Sequence, residues 1–250
     1  MTYHDRNISR RDMVKAAGLG AAVATTAVAA PKTARAVAAP GHQAQYAMVI
    51  DVRKCIGCQA CTIACKTEYE VPLGKHRSWV EAVEKGTYPD VSRSFRPRLC
   101  NQCSEPACVP VCPADATWKR DEDGAVVINK DDCIACGRCV EACPYDARFL
   151  NPVGGKADKC DFCLHRVEQG LVPSCVNTCQ GKARVFGDLN DPESEVSKLV
   201  ADHPVTVLLQ ETGTKPNVYY IDADHADPAD ARFAGQYVRV DTNRPVEERR

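Results

Sequence analysis

The chain has 250 residues, of which 16 are cysteine and only 6% are aromatic, and its formal net charge is −1. Residues 1–36 hold six basic residues against Asp5 and Asp12, so the remainder carries −5. That acidic remainder excludes the basic stripe of a nucleic-acid binder, and the length removes the need for the disulfide framework of a small, weak-cored domain.

The first 38 residues read as an export address rather than as structure. Ser9-Arg10-Arg11-Asp12-Met13-Val14-Lys15 resembles the twin-arginine motif, with Met13 and Val14 where bulkier apolar residues are usual. The mildly apolar run from Ala16 to Ala30 is too short to cross a bilayer as a helix. Cleavage sites of the A-x-A type end at Ala36 and at Ala38. That route exports folded proteins, so a chain that receives metal in the cytoplasm would cross already loaded. A periplasmic protein, peripheral on the cytoplasmic membrane, is expected. The mature chain has no apolar run of 18 residues, so no membrane span is expected.

Tyr46 to Val52 reads as a strand that enters the first cysteine group, Cys55, Cys58, Cys61 and Cys65. Gln59 to Tyr69 reads as the helix leaving it. Residues 66–99 lack cysteine. There Trp79 to Val83 alternates like a strand, and Tyr88-Pro89-Asp90 reads as a turn. This segment is expected on the surface, either facing a partner or as a plain connection. The second group is Cys100, Cys103, Cys108 and Cys112, followed by Pro113. Ala125 to Asn129, after Asp123-Gly124, reads as a hairpin strand.

The third group is Cys133, Cys136, Cys139 and Cys143, closed by Pro144. It is the bacterial ferredoxin run, in which three closely spaced thiolates hold one cube and the fourth ligates its neighbour. Gly154-Gly155 marks a turn, and the fourth group is Cys160, Cys163, Cys175 and Cys179, with a short helix from Leu164 to Gly170. Ala183 to Gly187 reads as a strand, and Asp191 caps a helix from Pro192 to about Ala201. Val205 to Leu209 and Val218 to Ile221 are candidate strands. Residues 222–250 read as a polar tail without its own core.

Four groups use all 16 cysteines, and a 4Fe–4S cube takes four thiolates, so four 4Fe–4S clusters are expected. Zinc ribbons rarely need a third cysteine two residues on, and a thioredoxin-like C-x-x-C would be single. Metal insertion would be coupled to folding, which suits a core so poor in rings.

The cysteine pattern occurs together with Arg96-Pro97-Arg98-Leu99-Cys100-Asn101-Gln102-Cys103 and Cys143-Pro144-Tyr145-Asp146-Ala147-Arg148. Asp158-Lys159-Cys160-Asp161-Phe162-Cys163-Leu164-His165-Arg166 and Phe186-Gly187-Asp188-Leu189 complete the set. Over roughly Tyr46 to Ile221 the chain resembles the four-cluster electron-transfer subunits of the dimethyl sulfoxide reductase superfamily, most of all those of polysulfide, thiosulfate and tetrathionate reductases.

The resemblance implies an α+β fold of two ferredoxin-like modules related by a pseudo-twofold, with loop-rich insertions. Residues 45–99 and 158–190 would form the outer module, 100–157 the inner one, and 191–221 a C-terminal extension. It also implies cross-ligation. Cys55, Cys58, Cys61 and Cys179 would hold one cluster, and Cys100, Cys103, Cys108 and Cys143 a second. Cys133, Cys136, Cys139 and Cys112 would hold a third, and Cys160, Cys163, Cys175 and Cys65 a fourth. The ferredoxin rule supports the two inner sets directly.

The implied partners are a molybdopterin catalytic subunit and a polytopic membrane subunit that handles quinol or quinone, with electrons serving sulfur-compound respiration. No catalytic residue is expected in this chain. A second reading keeps the wire but delivers to a multihaem cytochrome nitrite reductase, and one of another class is a metal-stapled binding module without redox role. Cys136 stands where nitrate reductase relatives carry tryptophan, which favours four complete cubes, and Gln180 stands where proline is usual. Lys54, Arg138 and Lys159 flank cysteines and either offset cluster charge or face solvent. His165 is a tuning or quinone-site candidate, although a surface or packing role fits it better.

Overall fold

A computed structural model of the chain describes residues 43–223 and 237–238; the export address lies outside them. In chain order the elements are β1 (Tyr46–Asp51), α1 (Ala60–Tyr69), β2 (Ser78–Thr87), β3 (Asp90–Leu99), β4 (Thr117–Lys119), β5 (Val126–Ile128), α2 (Arg138–Glu141), β6 (Arg148–Leu150) and β7 (Ala157–Lys159). There follow α3 (Leu164–Val167), α4 (Ser174–Asn177), β8 (Arg184–Asp188), α5 (Glu195–Asp202), β9 (Val205–Thr206), β10 (Val218–Ile221) and β11 (Tyr237–Val238).

The run Ala-Met-Val-Ile is apolar on both faces of a strand, and β1 is accordingly buried on both. It lies inside a four-stranded sheet of order β8-β1-β10-β9. Ala47 and Val49 point to one face, under Val196 of α5. Met48 and Ile50 point to the other, into a core that also contains Cys61, Cys100, Cys160 and Cys175. The two-residue period of the strand thus separates an ordinary helix-covered layer from the layer that faces the cysteines. β8 runs antiparallel to β1 and β10 parallel to it. The C-terminal extension is therefore not an appendage: β10 is built into the central sheet.

The cysteine-free segment departs most from expectation. It forms a hairpin of two ten-residue strands, β2 and β3, and its base is core rather than surface. Trp79, Val80, Glu81 and Val83 are buried, while Tyr88 and Val91 at the tip are exposed. The reason is electrostatic as well as apolar. Glu81 is fully buried and accepts hydrogen bonds from Arg96 and Arg98 of β3, at 3.0 Å in each case. Substituting Glu81→Ala would remove the buried carboxylate that answers Arg96 and Arg98, and about 3–5 kcal/mol of stability is expected to be lost. A denaturant midpoint little changed from the parent would refute this.

Other boundaries moved for local reasons. The 164–170 helix ends at Val167 and closes in a turn at Gly170. The helix expected from Pro192 starts at Glu195, because the Asp191 carboxylate and carbonyl bind the N–H groups of Glu193 and Ser194 in a separate turn. Only Val205–Thr206 of the 205–209 strand forms, since Leu209 turns left-handed into a 3-10 turn. Within the stretch expected to be a bare tail, Tyr237–Val238 pairs with Val83 and Ala82 of β2.

Candidate metal centres

Each cysteine loop is bent by left-handed residues. In the first, Gly57 (φ +69°) and Gln59 (φ 60°) turn the chain between Cys55 and α1, which carries Cys61 and Cys65 one turn apart. A side chain at Gly57 would run into the Phe95 ring, so glycine suits the position for space as well as for φ. In the third, Ala135 (φ 60°) and Gly137 (φ 78°) repeat the device before α2, which carries Cys139.

The fold gathers distant cysteines. Cys55, Cys58, Cys61 and Cys179 line one small cavity, with Arg184 in its wall. Cys100, Cys103, Cys108 and Cys143 line another, with Arg148 in its wall. Cys65 interacts with Cys163 and Cys175, and Cys160 with all three. Cys133 and Cys139 are buried in one cluster with Ala116 and Ala157, with Cys112 and Cys108 packed against it. Cys136 and Cys58 are the exposed members of the sixteen. Among the described residues no three His, Cys, Asp or Glu side chains converge as they would on a single ion.

The residues fit an iron–sulfur cluster chemically. The donors are soft thiols, the ligands of iron–sulfur clusters. Beside them lie buried cationic atoms with no hydrogen-bond acceptor among the described residues: Nε of Arg184, and Nε and Nη1 of Arg148. Burial pushes the free thiols up, Cys103 to about 12 and Cys143 and Cys175 to about 11. Neighbouring thiols add to the rise. A folded chain without metal therefore holds these groups protonated, and loading must expel the protons. Iron–sulfide uptake by the metal-free chain is expected to rise from about pH 7 to about pH 9, with proton release on loading. Uptake that is flat in pH, followed by charge-transfer absorbance, would contradict ligation by thiolates.

The flanking polar residues separate into distinct roles. Lys54 is half-exposed and pairs with Asp51 at 3.4 Å. Arg138 lines an open surface depression with Pro110, Val111 and Glu141. Lys159 is buried, and its ammonium donates to the carbonyls of Val126 and Cys160. His165 sits at the surface, with Nε2 at 2.8 Å from a Glu68 carboxylate oxygen and Nδ1 at 3.3 Å from the Tyr69 hydroxyl.

Two residues escaped the sequence reading. Gln102 is fully buried, donates to the Cys160 carbonyl and accepts from the Val126 N–H, both at 2.7 Å. It stitches the second cysteine loop to the fourth, and a polar pair inside C-N-Q-C was the available signal. Arg77 is buried between Asp158 and Asp161, with its guanidinium 3.6 Å from the centre of the Tyr69 ring. No local signal marks it.

Residues 91–189 match the family model of the 4Fe-4S dicluster domain. A tetrathionate reductase subunit of Salmonella typhimurium is 48% identical over 75% of this chain and 75% of its own length. A selenate reductase subunit of Mesobacillus selenatarsenatis is 41% identical, also over 75% of each chain. The protein NrfC homolog of Haemophilus influenzae is 39% identical over 88% of this chain and 97% of its own.

Proposed function

The chain belongs to the family of iron–sulfur subunits of molybdopterin oxidoreductases of the dimethyl sulfoxide reductase superfamily, and from that premise we propose its place in a respiratory complex. It is an electron-transfer subunit without catalytic residues of its own, and it serves sulfur-compound respiration. It connects a membrane quinol or quinone subunit to a periplasmic molybdopterin subunit, with tetrathionate, thiosulfate or polysulfide as terminal substrate. The observation that carries this is the 48% identity to a tetrathionate reductase subunit, in a chain whose sixteen cysteines fall into four groups.

When bound, each 4Fe–4S cube supplies a one-electron redox site. The chain does the rest. Cys55, Cys58, Cys61 and Cys179 hold one cube, and Cys65, Cys160, Cys163 and Cys175 its neighbour in the outer module. Cys100, Cys103, Cys108 and Cys143 hold the next, and Cys112, Cys133, Cys136 and Cys139 the last. The two modules are related by a pseudo-twofold; the five-residue steps from Cys143 to Arg148 and from Cys179 to Arg184 support this. Buried apolar side chains such as Met48, Ile50 and Phe162 exclude water from the cysteine layer. Export proceeds folded, through the address in residues 1–38.

The test is elemental analysis of the complex that co-purifies with the tagged chain from detergent-solubilised membranes. About 16 iron atoms from this chain, with molybdenum or tungsten in the complex, are expected. The likeness to the NrfC homolog favours one alternative, delivery to a multihaem cytochrome. Abundant haem without molybdenum or tungsten would move the assignment there. Zinc without iron would end both.

A further inference from the structure

Among the described residues five arginines are buried: Arg77, Arg96, Arg98, Arg148 and Arg184. Three are answered by carboxylates, Arg77 by Asp158 and Arg96 and Arg98 by Glu81. Arg148 and Arg184 make no ion pair with a carboxylate among the described residues. An unpaired buried charge is costly, so each needs an anion that the polypeptide alone does not provide.

The two are placed alike. Each lies five residues after the last cysteine of a group and directly after a buried alanine, Ala147 or Ala183. Each opens a short strand, β6 or β8. Nη2 of each donates at 2.9 Å to a hydroxyl on the first residue of another strand, Thr117 of β4 for Arg148 and Ser78 of β2 for Arg184. The orphaned nitrogens are left for the thiols. Arg148 interacts with Cys108 and Cys100 of one group and with Cys139 of the next. Arg184 interacts with Cys61 and Cys55 of one group and with Cys175 of the next. Each guanidinium therefore serves two cysteine groups of one half.

We propose that Arg148 and Arg184 are built-in counter-cations, one for each pair of cysteine groups, that raise the reduction potentials of both clusters in their pair. They are positioning residues rather than ligands, and the inference rests on the cluster reading given above. Reduction adds negative charge to a cube, and a fixed cation in a low-dielectric site favours the more negative state. The hydroxyl anchors hold the guanidinium at the junction, so the charge does not swing away to solvent.

The test is a potentiometric titration of the whole complex, followed by electron paramagnetic resonance, with iron and sulfide counted in each preparation. In Arg148→Gln, two of the four signals are expected to move to lower potential and the other two to stay. Arg184→Gln should move the other two. At a fixed potential the reduced-to-oxidised ratio of the affected pair should fall about tenfold, which is about 59 mV for a one-electron couple. Arg148→Lys and Arg184→Lys, which keep the charge, should recover most of the shift. Should a glutamine variant lose iron, Thr117→Val and Ser78→Ala decide, since they keep the charge but remove its anchor. Each should lower the same pair by a smaller amount.

Unmoved potentials in variants with full iron would overturn the proposal, and so would equal shifts of all four signals. A parent chain that lacks four clusters would instead overturn the ligand reading beneath it, before any arginine is changed.

Discussion

Replacing Cys112 by alanine is expected to remove the same cluster that Cys136→Ala removes, and to leave the cluster of its sequence neighbour Cys108 in place. Cys108 and Cys112 stand four residues apart, yet only Cys108 reaches the cavity of the second group. Cys108 lines a cavity with Cys100, Cys103 and Cys143. Cys112 is not in that cavity wall, and both cysteines pack against the cluster that contains Cys133 and Cys139. A cube that loses one of four thiolates is held poorly, so about four of about sixteen irons should go. Resonance spectra should lose one signal, identical in the two variants, while Cys143→Ala should remove a different one. The outer half should behave in the same way, with Cys65→Ala matching Cys163→Ala although the two positions are far apart in sequence. Should Cys112→Ala instead erase the signal that Cys143→Ala erases, the cross-ligation scheme would fall.

Stripping iron with a ferrous chelator under anaerobic reducing conditions is expected to unfold the main core rather than leave an empty, intact fold. That core counts Cys61, Cys100, Cys160 and Cys175 among its buried residues, beside Met48, Ile50 and Trp79. Aromatic side chains make up only 6% of the sequence, so few large groups are available to fill the space a cube occupies. Binding of one structural metal is worth about 10–16 kcal/mol in small metal-dependent domains, against a whole-domain stability of about 5–15 kcal/mol. Four such groups would dominate the balance. Removal also leaves Arg148 and Arg184 buried without an anion. Trp79 is 2% exposed; its emission should shift toward that of water-exposed tryptophan, and resistance to protease should vanish. A stripped chain that keeps its protease resistance and its far-ultraviolet dichroism would refute metal-coupled folding.

What was legible in the chain was whatever depends on near neighbours. Cysteine spacing is a local constraint, because two-residue gaps suit one tight loop around one cube, and so the four groups could be read directly. β1 was legible because an uninterrupted apolar run has few options but a strand buried on both faces. Strands of three residues, such as β4, β6 and β7, are too short to show a period, and their ends are set by the hairpins they close.

The rest was decided at long range. Arg93, Arg96 and Arg98 make β3 look like surface; what buries its base is the register that sets Glu81 opposite Arg96. β10 joins β1 in parallel from about 170 residues away, which no local pattern announces. Arg148 and Arg184 stand in plain view beside their cysteines. That each lies between two groups, with no carboxylate to answer it, follows only from the packing that excludes water and carboxylates from the junction. Charge and spacing are properties of the chain, whereas the partner a buried charge meets belongs to the fold.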